Sequence, residues 1–309
     1  YFRHDGQIDS RIGTLPAPAL ATGSFDAAQV GVVPATGYAA NLVVLQQAAA
    51  SGGFFNASPL VDADGVLRRI SMLQMLDGQL HETLSLAMMR LAMRGPAVEL
   101  NYADDERSAV ALESLQLGNR RIPVDADVAA LVPYRGKQGS FPYVSASDVL
   151  KGKVAPDALR GAMVLVGTTA PGLLDLRSAP MQESYAGVEL HANMIAGMLD
   201  GNIKERPAYV LGLELVFILL TGGFLALALP TLSPLAATVL TLATTLAMLA
   251  GNLYFWQFQN MILPLASSLI LIGALFIVNM SYGYFIDARG KRMLARLFGQ
   301  YVPPELVAT

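Results

Sequence analysis

The chain has 309 residues with a formal net charge of -3, 53% hydrophobic positions and only 15% charged ones. That charged share is too low for an ordinary soluble protein, while the small, mixed-sign charge gives no reason to expect nucleic acid as a partner. With no Cys, disulfides and thiolate chemistry are excluded.

The average hides two regimes. Residues 1–208 carry nearly all the charge, whereas Leu215 to Ile286 contains no Asp, Glu, Lys, Arg or His. The opening Tyr1-Phe2-Arg3-His4-Asp5-Gly6 is neither a charged n-region nor an apolar h-region, so a front truncated within a domain is expected. The first 25 residues are rich in Gly, Pro, Ala and Ser and read as loop.

Gln29 to Val33 then reads as a short buried strand, and Tyr38 to Ala50 as a helix ended by Ser51-Gly52-Gly53. Gly53-Phe54-Phe55-Asn56 reads as a strand. In Val61 to Ile70 the Asp64-Gly65 pair is a hairpin signal. Asp62 and Asp64 are spaced as in a cation loop, but a calcium loop also needs a third ligand, a Gly at its sixth position and a Glu at its twelfth, none of which is in register. The stretch is read as a turn.

Leu80, Leu84, Ala87, Met88 and Leu91 form a stripe that predicts a core-facing helix from Leu80 to Met93, stopped by Gly95-Pro96. Val98 to Tyr102 reads as a strand, Asp104 to Arg121 as an amphipathic excursion and Ser145 to Leu150 as a short helix. The apolar run Gly161 to Thr169 has the look of a buried parallel strand entering a small-residue loop, and Gly187 to Ile195 opens a helix. The fold class expected is therefore α/β with a mostly parallel sheet. Thr168, Thr169 and Asp175 are the candidate ligand residues at that strand end, weighed against an ordinary capped turn. His191 stands without a motif partner among His4 and His81 and reads as structural. Neither a Gly-x-Ser-x-Gly elbow nor a phosphate loop is present, so catalysis by this domain is not expected.

The ordered set Phe54-Phe55-Asn56, Asp62 to Arg69, Ser85-Leu86-Ala87, Val144 to Leu150, Met163 to Thr169, Leu174-Asp175 and Gly187-Val188-Glu189-Leu190-His191-Ala192-Asn193 resembles the second type of CHASE domain. The resemblance covers roughly residues 30–286. It implies an extracytoplasmic sensor of the kind carried by bacterial adenylate cyclases, histidine kinases and Ser/Thr kinases, usually followed by three closely spaced transmembrane helices. The family's opening strand and preceding membrane helix have no counterpart here, and Ser178-Ala179-Pro180 stands where the family often has Thr-Pro.

Pro-containing breaks divide the charge-free stretch into three expected spans, 209–229, 235–253 and 262–286, an all-α membrane domain. Arg289, Lys291, Arg292 and Arg296 belong on the cytoplasmic side, which after three crossings puts residues 1–208 outside. Ala243, Ala247 and Gly251 make a small-residue face that could pack closely, and Glu214 is shallow enough to snorkel to the outer interface.

Residues 287–309 are the expected transducer. Phe298-Gly299-Gln300-Tyr301-Val302-Pro303-Pro304-Glu305-Leu306-Val307 is similar to the element that precedes class III adenylate and guanylate cyclase domains, and Pro303-Pro304 ends its helix. Phe298, Tyr301, Pro303 and Pro304 are the candidate signal-transducing residues, with no catalytic or metal residue in the chain. The resemblance implies the sensory and anchoring region of a class III adenylate cyclase in the bacterial inner membrane, with membrane lipid, a second copy (a homodimer) and an unidentified extracytoplasmic ligand as partners. No cofactor is expected in these residues; ATP and a divalent metal belong to a cyclase domain beyond Thr309. The same unit on a kinase, or a non-sensing membrane protein, is the alternative.

Overall fold

A computed structural model describes residues 1–4, 11–56, 61–102, 112–169, 176–207 and 209–298, the segment 284–298 by backbone alone. The chain forms two compact units, Tyr1–Glu205 and Arg206–Thr309.

In the first unit, β1 (Phe2–Arg3), β2 (Arg11–Ile12) and β3 (Gly37–Ala39) form a small sheet in the order β1-β3-β2, with β2 parallel and β1 antiparallel to β3. The helix expected from Tyr38 to Ala50 shortens to α1 (Val43–Ala48), because Gly37 to Ala39 is taken into this sheet. The strand expected at Gln29 to Val33 does not form: a 3-10 turn, Ala27–Gln29, whose N-cap Asp26 carboxylate accepts from Ala28 N, ends at that stretch's first residue, and Val30 to Val33 carry no strand pairing. Phe54 makes a single parallel bridge to Thr83 rather than a strand.

Three strands and a helix follow: β4 (Arg69–Ser71), β5 (Leu73–Leu76), β6 (Gln79–Glu82) and α2 (Leu84–Ala92). β5 and β6 are joined by Asp77-Gly78, both at positive φ (51° and 74°), the geometry a two-residue hairpin turn demands. The first part of the helix predicted from Leu80 is therefore strand. The Asp64-Gly65 pair turns the chain without pairing its flanks: Val66 bridges Ser178, and β4 pairs with β10 (Ala129–Leu131).

β7 (Val98–Tyr102), the strand expected there, continues into β8 (Leu112–Leu117) and β9 (Arg120–Pro123) as an antiparallel meander, where Asp104 to Arg121 was expected as an amphipathic excursion; residues 103–111 lie outside the described residues. Short α3 (Ala146–Leu150), the hairpin β11 (Leu176–Ala179) and β12 (Gln182–Ala186), and the long α4 (Gly187–Asp200) complete the unit. Gly201, at φ +64°, gives α4 its left-handed exit.

The mostly parallel sheet is thus corrected. Among the named strand pairs only β2 with β3 is parallel; the rest are antiparallel and distributed over five small sheets. Four of the antiparallel pairs join neighbours in sequence, three of them (β5 with β6, β8 with β9, β11 with β12) across two residues, too few for a parallel crossover. The Gly161–Thr169 run is not a buried strand either: residues 162–169 have no strand pairing, and Val166 is 89% exposed. Gly167 still runs close over α4, since a Cβ there would meet Val188 Cβ at 2.5 Å.

The core lies where α2 and α4 pack together. Leu86 and Met89 from α2 and Leu190 and Met194 from α4 join Ile70, Leu73, Leu80, Leu115, Leu117 and Ile122. Each Leu or Ile so buried contributes about 1.5–3 kcal/mol.

The second unit inverts this arrangement. α5 (Val210–Ala228), α6 (Pro234–Phe258) and α7 (Ala266–Phe298) are long and apolar enough to cross a membrane, and most of their large side chains face outward. Ser233 caps α6 by accepting from Ala236 N, with Pro234 at its first position. Among the unit's described residues few are buried: Val210, Leu225, Leu229, Ala237, Ser268 and Ile272. Of the face Ala243, Ala247 and Gly251, Ala243 and Ala247 are exposed, and Ala247 and Gly251 border a cavity shared with Glu214 of α5 and Ser268 of α7 rather than packing tightly; the close approach is Gly222 of α5 against Leu271 of α7.

Candidate functional site

Of the residues predicted from sequence, only Thr168, Thr169 and Phe298 lie among the described residues. Thr168 and Thr169 lie in the exposed segment before α4, and Asp175 is outside the described residues. Phe298 is the last described residue of α7, by backbone alone; Tyr301, Pro303 and Pro304 are outside.

The structure instead forms a cleft of about 840 Å³ in the first unit. Its walls come from the end of β6 (His81, Glu82), from α2 (Leu84, Arg90), from Phe54 and Phe55, from α1 (Leu45, Gln46) and from Phe2 of β1. The backbone around it is tied by Phe54 N to Glu82 O (3.0 Å) and Leu84 N to Phe54 O (2.7 Å). These bonds hold the Phe54–Phe55 segment against the strand-to-helix junction.

Glu82 is 2% exposed and is paired with Arg90 two turns along α2. Arg90 Nε donates to Oε2 at 2.9 Å and to Oε1 at 3.2 Å, and Nη2 donates to Oε1, a two-pronged fit of fork to carboxylate. The Glu82 hydrogen bonds push the Arg90 pKa up, against the opposing effect of burial. These are the only charged side chains that line the cleft among the described residues.

His81 is 5% exposed, with its ring 5.4 Å from that of Phe2. Burial lowers its pKa, opposed by the Asp77 carboxylate, so the imidazole is neutral at pH 7. Its Nε2 is buried with no hydrogen-bond partner among the described residues.

A second polar centre explains the Gly187-to-Asn193 string. Glu189, buried in the first turn of α4, accepts from Gly139 N (3.1 Å), Ser140 N (3.0 Å) and Tyr143 Oη (2.7 Å). Asn193 accepts from Arg135 N and donates to Tyr185 Oη (2.7 Å) and Glu189 O (2.8 Å). His191 Nε2 lies 3.1 Å from Phe55 O, which links α4 to the edge of the cleft. Apart from the Asn193–Glu189 bond within α4, each of these hydrogen bonds ties α4 to another part of the unit.

The acidic turn is held by arginine. Arg68 Nη1 donates to Asp62 and Asp64 (2.7 and 2.9 Å), Arg68 Nη2 to Asp64 (2.7 Å), and Arg69 reaches Asp125 and Asp127. Among the described residues no group of three or more His, Asp or Glu is arranged to hold a metal.

The cleft residues were missed because His81 and Glu82 fall within a predicted helix. The Asp77-Gly78 pair was the signal that could have moved them to a strand. In comparison with known proteins, the family model described as CHASE2 domain matches residues 13–227. No curated protein and no solved structure matches the chain.

Proposed function

The chain belongs to the CHASE2 domain family, whose members are extracellular sensor domains, and from that premise we propose that it is the sensory and membrane-anchoring region of a class III adenylate cyclase. In this reading the first unit sits outside the bacterial inner membrane, the three apolar helices cross it, and the end of α7 enters the cytoplasm. Two copies associate, because a class III active site forms between two catalytic domains. ATP and the divalent metal bind those domains rather than this region.

The observation that carries the reading is the length of α7. Its 33 residues make a helix of about 50 Å, against a hydrocarbon core of about 30 Å. One continuous helix therefore spans the bilayer and still projects well beyond it, through Asp287, Arg289, Lys291 and Arg292, so that a shift in helix packing is delivered to whatever follows. The cationic end supports a cytoplasmic side.

The test is the natural gene product read past Thr309 and produced in cyclase-deficient bacteria. Cyclic AMP formation is expected; a kinase domain in that position, or phosphotransfer without cyclic AMP, overturns the output. Reporters fused at Gly201 and Thr309 test topology independently, and a cytoplasmic signal at Gly201 overturns the orientation.

A further inference from the structure

Resting on the two-copy reading, we propose that the outward face of α6 is the seam along which two copies of this chain pair within the membrane, as a parallel, in-register pair of helices.

Spacing comes first. From Leu235 to Leu253 the exposed large side chains of α6, all among the described residues, are Leu235, Val239, Leu242, Leu246, Leu249 and Leu253. They fall at alternating intervals of four and three residues, the repeat that keeps one line of side chains facing a partner helix along its whole length. A strict seven-residue period drifts around a straight helix unless two helices wind about each other left-handedly, so a helix that meets only lipid has no use for it. α5 differs, because its exposed residues include the consecutive Leu215, Val216 and Phe217, which no single line collects.

The residues beside the line let a partner approach. Ala243 and Ala250 follow Leu242 and Leu249 and are exposed, small enough for a facing side chain to settle between them and the seam. On the other edge Thr238 donates to Pro234 O and Thr245 to Thr241 O (2.9 Å each), so neither hydroxyl needs a partner in the bilayer. Ala237 and Met248, on the opposite face, pack in the unit's own core.

A second copy is the partner that fits. Copies of one chain enter the bilayer in one orientation, so their α6 helices run parallel at one depth, and each seam residue meets its own counterpart across a two-fold axis. Nothing on the seam is charged, so like meets like without repulsion. The six large residues are 39–78% exposed and, at about 120 Å² for a fully buried Leu-sized side chain, offer about 400 Å² on each copy. Trp256, next in the same line and 44% exposed, and the two alanines bring the pair to about 1,000 Å², the least that a specific interface takes.

The experiment oxidises single-Cys variants of the whole chain in bacterial inner membranes; the chain has no Cys of its own, so each disulfide reports one position. A disulfide needs Cα atoms within about 7 Å. Covalent dimers are therefore expected to peak at Val239→Cys, Leu242→Cys, Leu246→Cys and Leu249→Cys, at least fivefold above Leu240→Cys, Thr244→Cys and Met248→Cys. Ala243→Phe, at an exposed position, holds the helices apart and should lower the Leu246→Cys yield at least fivefold, while Ala243→Ser leaves it unchanged. A yield uniform around α6 reports chance collision of lipid-covered helices and overturns the proposal, as does an unchanged yield in Ala243→Phe. A maximum on α5 or α7, at Leu219→Cys or Ile277→Cys, overturns the seam but leaves the two-copy reading standing. Failure of the cyclase reading looks different: the seven-residue pattern of dimers appears, but the natural gene product makes no cyclic AMP.

Discussion

Replacing Glu189 tests how far one buried carboxylate fixes the loop before α3 to α4. Its oxygens, on a residue only 2% exposed, take the N–H groups of Gly139 and Ser140 and the hydroxyl of Tyr143. Hydrogen bonds to a charged group contribute about 1.5–3 kcal/mol each, but Gly139 and Ser140 are themselves exposed, so water replaces part of what is lost; Glu189→Ala should cost about 2–4 kcal/mol. Glu189→Gln keeps an amide oxygen for the two N–H groups and turns its nitrogen toward a Tyr143 hydroxyl that can accept, so only the charge is lost, about 1–2 kcal/mol. For a unit of this size the expected falls in Tm are about 4–16 °C for Ala and about 2–8 °C for Gln. The single tryptophan, Trp256, lies in the second unit and cannot report this transition, so tyrosine near-UV circular dichroism is the measure. Hydrogen exchange at Gly139 and Ser140 adds a local readout and should quicken most in Glu189→Ala. An equal loss for Gln and Ala, or a loss under about 0.5 kcal/mol for Ala, refutes the reasoning.

Arg90→Ala strands Glu82 as an uncompensated buried charge and should cost about 3–5 kcal/mol in denaturant unfolding, whereas the double change Glu82→Gln with Arg90→Met should recover most of it; a single-variant loss below about 1 kcal/mol would contradict the pairing. The Arg68 guanidinium, with the Val66 N–H second, holds the Asp64 carboxyl at about 2. Because this folded value lies below the unfolded one of about 3.9, the contribution is present above pH about 4 and lost as pH falls through about 2. Carboxyl NMR titration should show that midpoint, and Arg68→Gln should raise it toward the ordinary range. Gly197→Ala sets helix propensity, a gain of about 1 kcal/mol, against a Cβ placed 2.2 Å from Pro133 Cγ. A proline ring cannot swing aside, so overpacking of about 1–3 kcal/mol prevails and Tm falls; a raised Tm would show that the loop yields.

Elements were legible in the sequence where their signals were local. Val98 to Tyr102 and the helix from Gly187 were placed correctly, since strand alternation and helix spacing are complete within each segment. Leu80 to Met93 failed because Leu80, Leu84, Met88 and Leu91 fit a helical period although a strand ends at Glu82 and the helix begins at Leu84. Two Asp-Gly pairs occur within 15 residues of each other; only the one at Asp77-Gly78 is flanked by runs that pair. The apolar Gly161–Thr169 run carried no information on strand direction or burial, and the parallel sheet inferred from it went with it. No one-dimensional spacing could reveal the Glu82–Arg90 pair, because the two residues lie on a strand and a helix with a change of period between them.

The second unit follows a different logic of stability. In lipid, apolar burial does not drive helix against helix, so position depends on close packing and a few polar ties. The unit has both in small number: Ser267 Oγ donates to Glu214, Asn252 Nδ2 to Leu263 O (2.8 Å) and Asn279 Nδ2 to Leu229 O (3.3 Å), with Gly222 admitting Leu271. Glu214 therefore has a partner on α7, where snorkelling alone was expected. Such ties average about 0.6 kcal/mol each, so the seat of α7 against α5 rests on contacts near thermal energy. On the proposed relay this is a requirement rather than a weakness. A ligand-sized difference in free energy can shift α7 only if nothing within the membrane holds it more strongly than that difference. Gly222→Leu should accordingly change cyclase output while the hydrogen exchange of Gly139 and Ser140 stays as in the parent protein; altered exchange at those amides would place the effect in the sensor fold instead.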